Sequence, residues 1–119
     1  MKTRDQMIAE AKARITEITP QEAIERRENG EDAVYLDVRE PGEWNLFRIP
    51  DAVLVPLSEI ATTVEEKVPK EARVVVYCAR GNRSAIVADA MQQMGYGDVV
   101  SLAEGITGWA HAGGSIDDS

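Results

Sequence analysis

Val74-Val75-Val76-Tyr77-Cys78-Ala79-Arg80-Gly81-Asn82-Arg83-Ser84 is the stretch on which the fold turns. Val74 to Tyr77 is nearly all β-branched, the composition of a central strand buried on both faces. A short polar loop containing Gly81 follows. Residues 83–94 then read as a helix, with Ala85, Ile86, Ala88, Ala90, Met91 and Met94 as apolar positions and Gly95 as its stop. A buried strand passing through a loop into a helix is half of a βαβ unit. The loop at the C-terminal end of such a strand is where open α/β sheets place ligands.

The flanking sequence repeats the alternation. Upstream, Ala33–Val38 and Ala52–Val55 read as short apolar strands, the first broken by Pro41-Gly42 and the second stopped by Pro56. A helical turn is expected around Glu43–Leu46, and a helix from Ser58 to about Val68, ended by Pro69. Downstream, Val99–Leu102 is the last strand, and Ile106–His111 a short final helix. At the other end, Met7, Ile8, Ala11, Ile15 and Ile18 recur at three- and four-residue steps and predict an amphipathic helix over residues 3–18. Thr19-Pro20-Gln21-Glu22 reads as a capping box for a second helix running to about Glu28, with Gly30 beyond it. The expected organisation is a helical extension over 1–18, an α/β domain with a mostly parallel sheet over 19–112, and a frayed glycine-rich tail over 113–119.

Composition narrows the function classes. The 119 residues suit one domain, and 44% apolar with 29% charged residues is ordinary globular usage. The net charge of −8 disfavours a general nucleic-acid binder. No apolar run approaches the roughly 20 residues needed to cross a bilayer, and the N-terminus lacks the apolar core of a secretion signal. One cysteine, Cys78, excludes an intramolecular disulfide framework and an all-thiolate zinc site. No metal-ligand cluster, phosphate-loop glycine pattern or nucleotide fingerprint is present, so neither metal nor cofactor is expected. The expectation is a cytoplasmic protein in a reducing compartment.

The chemistry points to Cys78. A lone cysteine can be a small inert core residue, but its context here argues for a nucleophile. A thiol at its ordinary pKa is mostly protonated at neutral pH. A helix N-terminus and neighbouring arginines, here Arg80 and Arg83, stabilise the thiolate. Gly81 lets the backbone curl so that several N–H groups face one point and form an anion-binding nest. His111, the single histidine, reads as solvated or helix-terminal, and Trp44 and Trp109 as packing anchors.

Tyr77–Ser84 resembles the active-site loop of the rhodanese sulfurtransferases. Leu36-Asp37-Val38-Arg39-Glu40-Pro41-Gly42-Glu43-Trp44 is similar to that family's first box, Ile49-Pro50-Asp51-Ala52 to its Gly-His-Ile-Pro-Gly-Ala box, and Leu102–Trp109 to its closing Gly-Gly-Trp segment. The resemblance covers about residues 16–112. It implies an open parallel five-stranded sheet with helices on both faces, and a ping-pong reaction. Cys78 would take the sulfane sulfur of a donor such as thiosulfate as a persulfide, and a thiol, cyanide or a protein acceptor would remove it. The backbone from Ala79 through Arg80, Gly81, Asn82 and Arg83 to Ser84 would cradle the persulfide. Arg83 and Arg80 would attract an anionic donor, and Asp37 would brace the loop and Arg39 from below.

Three departures from the family pattern stand out. Phe47-Arg48 replaces Gly-His, Asp51 replaces Gly, and Glu104 replaces the first glycine of the closing pair. The first two are expected to touch only a surface turn. Glu104 is expected nearer the active-site rim, where it would repel an anionic donor. Two rival readings share the architecture. Cysteine phosphatases and arsenate reductases place five residues between Cys and Arg, whereas four separate Cys78 from Arg83, a loop sized for one sulfur atom. A redox- or persulfide-sensing or sulfur-carrier module working with a protein partner also fits an oxidisable low-pKa thiol.

Overall fold

The computed structural model describes residues 1–119. The chain runs α1 (Arg4–Arg14), β1 (Thr16–Ile18), α2 (Pro20–Glu28), β2 (Val34–Asp37), α3 (Pro41–Leu46), β3 (Val53–Leu54), α4 (Ile60–Lys67), β4 (Val74–Tyr77), α5 (Asn82–Gln93), β5 (Val99–Leu102) and α6 (Gly105–His111). The five strands form one all-parallel sheet in the order β1-β5-β4-β2-β3. β4 is central, in register with β2 through Tyr35↔Val75 and with β5 through Val75↔Val100.

Alternation along β4 builds two cores. Val74, Val76 and Cys78 face one cluster with Val87, Ala88 and Met91 of α5. Val75 and Tyr77 face the other, with Tyr35, Ile106 and Trp109. Both layers of side chains are buried, which is why β4 carries a continuous apolar run. No helix is long and apolar enough to cross a membrane.

The first helix stops earlier than its periodicity predicts. Arg14 ends α1, and Thr16–Ile18 form an edge strand on β5, with Ile18 opposite Leu102. Ile18 is buried in either reading, so apolar spacing could not separate a last helical turn from a three-residue strand. What α1 does bury is Ile8 and Ala11, against α5. Arg14 secures that packing with a two-pronged bond to Asp89 of α5, Nε–Oδ1 3.1 Å and Nη2–Oδ2 2.8 Å. The cap of α2 is also simpler than a capping box. Thr19 Oγ1 accepts the Glu22 amide, while Glu22 pairs with Arg26 rather than reaching back.

The C-terminal segment is anchored, not frayed. Asp117 and Arg48 exchange both backbone hydrogen bonds, at 2.9 and 2.8 Å, and Trp109 Nε1 donates to Ser115 O at 2.8 Å. Arg48 therefore does more than decorate a surface turn: it also bonds Asp117 and Ser119 through its guanidinium and stacks over Trp44.

Candidate active site

Cys78 follows the last residue of β4 and sits beneath the N-terminus of α5. Its Sγ accepts the Gly81 amide at 3.1 Å and the Ser84 amide at 3.4 Å, and lies 3.5 Å from Ser84 Oγ. The loop can close this tightly because Gly81 takes φ +97°, with Glu104 N and Leu102 O close to where a Cβ would stand. Asn82, Arg83 and Ser84 open α5, so their amides have no partner within the helix and belong to the loop. Burial pushes the Cys78 thiol pKa up. The Ser84 hydroxyl and the amides of Ser84, Gly81 and Arg80 outweigh that and hold it below the ordinary value. The largest part of the stabilisation comes from hydrogen bonds at the sulfur, and the Arg83 charge and the thiolate also favour each other.

Ser84 has its own partner. Its hydroxyl lies 2.8 Å from Ser101 Oγ on β5, and both serines are fully buried. When the sulfur is a thiolate, Ser101 can donate to Ser84 while Ser84 donates to Sγ. The sequence reading passed over Ser101, although one serine within Val99-Val100-Ser101-Leu102 was a visible signal.

Two closing contacts hold the loop from behind. Ile106 N donates to Cys78 O at 2.9 Å, and Thr107 N to Ala79 O at 3.1 Å. They require α6 to start directly against the loop. Gly105, at φ +58°, permits this, since a Cβ there would overlap Cys78 O and the Ala79 carbonyl. Gly105 is thus a site residue that the family box contained but the sequence reading left unassigned.

Arg83 has a partner that sequence reasoning did not name. Its Nη1 and Nη2 donate to the two carboxylate oxygens of Glu43 at 2.8 and 3.0 Å. Arg80 is exposed and carries no ion pair. Cys78, itself only 1% exposed, reaches a cavity of about 270 Å³ lined by Arg4, Ala79, Arg80, Asn82 and Arg83. Arg4 comes from α1, outside the expected domain boundary.

Asp37 and Arg39 form a buried pair. Arg39 donates from Nε and Nη2 to Asp37, the shortest distance being 2.7 Å, and its backbone amide bonds Asp37 Oδ1. Burial opposes the charge on Arg39, but the Asp37 carboxylate more than compensates and raises its pKa. Nη2 also bonds Phe47 O, and the guanidinium lies over the Phe47 and Tyr77 rings. Neither residue hydrogen-bonds to residues 78–84. The pair braces the 38–49 connection and the end of the sheet, and not the cysteine loop directly.

Residues 19–112 match the Rhodanese-like domain family. The chain belongs to that family. Among curated relatives, it is 36% identical over 99 residues to a "Sulfurtransferase" of Allochromatium vinosum, covering 83% of this chain and 92% of that protein. It is 37% identical over 94 residues to the "Probable adenylyltransferase/sulfurtransferase MoeZ" of Mycobacterium tuberculosis, covering 78% of this chain but 24% of that longer protein. Among solved structures, a Rhodopseudomonas palustris protein described as of unknown function, possible tyrosine phosphatase, superposes with a TM-score of 0.89 at 29% identity. That match covers 98% of this chain and 96% of the other. Two departures from the family pattern now have a common geometry. Asp51 and Glu104 both stand where the family has glycine, and they are the two non-glycine residues at positive φ, +65° and +64°. At both positions the backbone takes a left-handed turn that an L side chain disfavours.

Proposed function

We propose that this protein is a rhodanese-type sulfurtransferase in which Cys78 carries the transferred sulfur as a persulfide. The observation that carries this reading is the convergence of the Gly81 and Ser84 amides and the Ser84 hydroxyl on one sulfur atom. Those donors stabilise the thiolate that attacks the donor and that the second step regenerates. With thiosulfate as donor, the Cys78 thiolate attacks the sulfane sulfur and a new S–S bond forms. The S–S bond of thiosulfate breaks, and sulfite leaves with the electron pair. Cyanide or a thiolate then attacks the outer sulfur, taking it as thiocyanate or a new persulfide, and the Cys78 thiolate is regenerated. No proton need be moved for these anionic steps, which suits a site without a histidine base. A protein thiol is a further acceptor class, and the single reduced cysteine suits a cytoplasmic setting.

The description of the R. palustris neighbour raises a phosphatase reading. Two features weigh against it: four residues separate Cys78 from Arg83, and the Arg83 fork that would grip an oxyanion is occupied by Glu43. The deciding experiment is mass spectrometry of the intact protein. Thiosulfate should add one sulfur atom to the wild-type chain and none to Cys78→Ser, and cyanide should remove it. Faster hydrolysis of an aryl phosphate than sulfur transfer from any donor would reverse the ranking.

A further inference from the structure

The chain has nine arginines, and seven of them are ion-paired: Arg14, Arg26, Arg27, Arg39, Arg48, Arg73 and Arg83. The two with no carboxylate within ion-pair distance are Arg4 and Arg80. They lie 76 positions apart in sequence, yet both line the cavity at Cys78. Glu104 shares a neighbouring cavity with Arg80 but does not reach ion-pair distance.

The contacts of α1 fix where Arg4 lies. Thr3 and Gln6 form a reciprocal capping box, so the first turn of α1 is held closed with Arg4 as its first residue. Ile8 and Ala11 seat the helix on α5, and the Arg14–Asp89 pair fixes its far end. The start of α1 therefore lies over the start of α5, where the cysteine loop is. A cation in the first turn of a helix opposes the helix dipole, so local helix stability does not explain Arg4. Nor does long-range charge. A molecule of net charge −8 repels anions, and an anionic ligand needs local cations to approach the thiolate.

We propose that Arg4 of α1 joins Arg80, the loop arginine that the family resemblance already assigns to an anionic donor, in a two-guanidinium clamp for the oxyanion end of the sulfur donor, which makes α1 part of the substrate site. This rests on the sulfurtransferase reading. The clamp selects donors that pair a terminal sulfane sulfur with a sulfonate-like end, such as thiosulfate or an organic thiosulfonate. It holds the leaving sulfite group between the guanidinium forks while the sulfane sulfur faces Sγ. Arg83, already paired with Glu43, keeps the rim of the cavity in shape.

Two measurements on the full chain test the part Arg4 plays in the clamp, using Arg4→Gln and Arg4→Lys. The first is independent of sulfur transfer: the ratio of Cys78 alkylation rates with iodoacetate, an anion, and iodoacetamide, its neutral counterpart. Arg4→Gln should lower the ratio about tenfold, the equivalent of one charged hydrogen bond. Arg4→Lys should recover most of it. The second is steady-state transfer from thiosulfate to dithiothreitol. KM for thiosulfate should rise about tenfold in Arg4→Gln with kcat within twofold, and discharge of preloaded persulfide to dithiothreitol should not change. Equal slowing of both alkylating reagents, or loss of both half-reactions together with thermal stability, would mean that Arg4 is structural and overturn the clamp. So would sulfur loading that ignores Arg4. An iodoacetate preference that depends on Arg4, in a protein that accepts sulfur from no donor, would keep the anion clamp and overturn the sulfurtransferase reading.

Discussion

Glu43 grips Arg83 through its two terminal guanidinium nitrogens, Nη1 and Nη2, and at the same time accepts the Glu40 amide at the start of α3. The arginine that ends the cysteine loop is thereby tied to the segment after β2. Rigidity of the cavity rim and loss of one free cation come from the same contact.

The Glu43–Arg83 pair should appear in the pH dependence of stability. Its bond to Arg83 holds the Glu43 carboxyl at about 2, below its ordinary 4.5. A depressed carboxyl contributes stability that is complete above the unfolded value and lost as pH falls through the folded one. Urea unfolding should find wild type more stable than Glu43→Gln by about 1 kcal/mol or less at neutral pH, because the pair is a third exposed. The difference should shrink between about pH 4.5 and 2. A difference that stays constant down to pH 2 would contradict the assignment.

Ser84 should tune the nucleophile. Removing its hydroxyl in Ser84→Ala takes away the largest contribution opposing burial of the thiol, so the Cys78 pKa should rise. The pH profile of iodoacetamide alkylation should move to higher pH. Ser101→Ala should move it the same way by less, because Ser101 acts through Ser84. Unmoved profiles in both variants would exclude the serine relay.

Gly105 and Glu104 are adjacent left-handed residues with opposite predicted responses. Gly105→Ala places a methyl into the Cys78 and Ala79 carbonyls, and should cost about 2 kcal/mol or more and lower sulfur transfer at least about tenfold. Glu104→Gly relieves a non-glycine at φ +64° and should stabilise by roughly 0.5–1 kcal/mol after glycine's extra unfolded-state entropy. Thermal unfolding of the two variants checks both signs.

Asp37→Ala leaves the Arg39 guanidinium buried with Phe47 O and the Asp37-free end of the sheet. Breaking a buried pair from one side typically costs about 3–5 kcal/mol, so Asp37→Ala should unfold at markedly lower denaturant. A loss under about 1 kcal/mol would show that water enters and replaces the carboxylate.

Much of this was readable in the chain itself. β2, β4 and β5 announce themselves as short apolar runs between turn residues, and α5 as a periodic segment after Gly81. Cys78 stands out because its neighbours in sequence, Gly81 and Ser84, are also its neighbours in space. These signals are local, set by backbone sterics and burial over a few residues, so they survive without knowledge of the rest of the molecule.

The features that escaped are contacts between distant segments. β1 is three residues long, too short to display alternation, and exists because β5 offers it an edge. Arg83 meets a carboxylate 40 positions away, and Asp117 pairs with a strand-like segment at Arg48. Arg4 arrives at the cysteine cavity only because α1 packs on a helix that begins 78 residues later. A nucleophile and its amide cradle can be written in one loop, since they need only a turn and a helix start. The charges that surround it are set by which surfaces pack together, and that is a property of the folded chain.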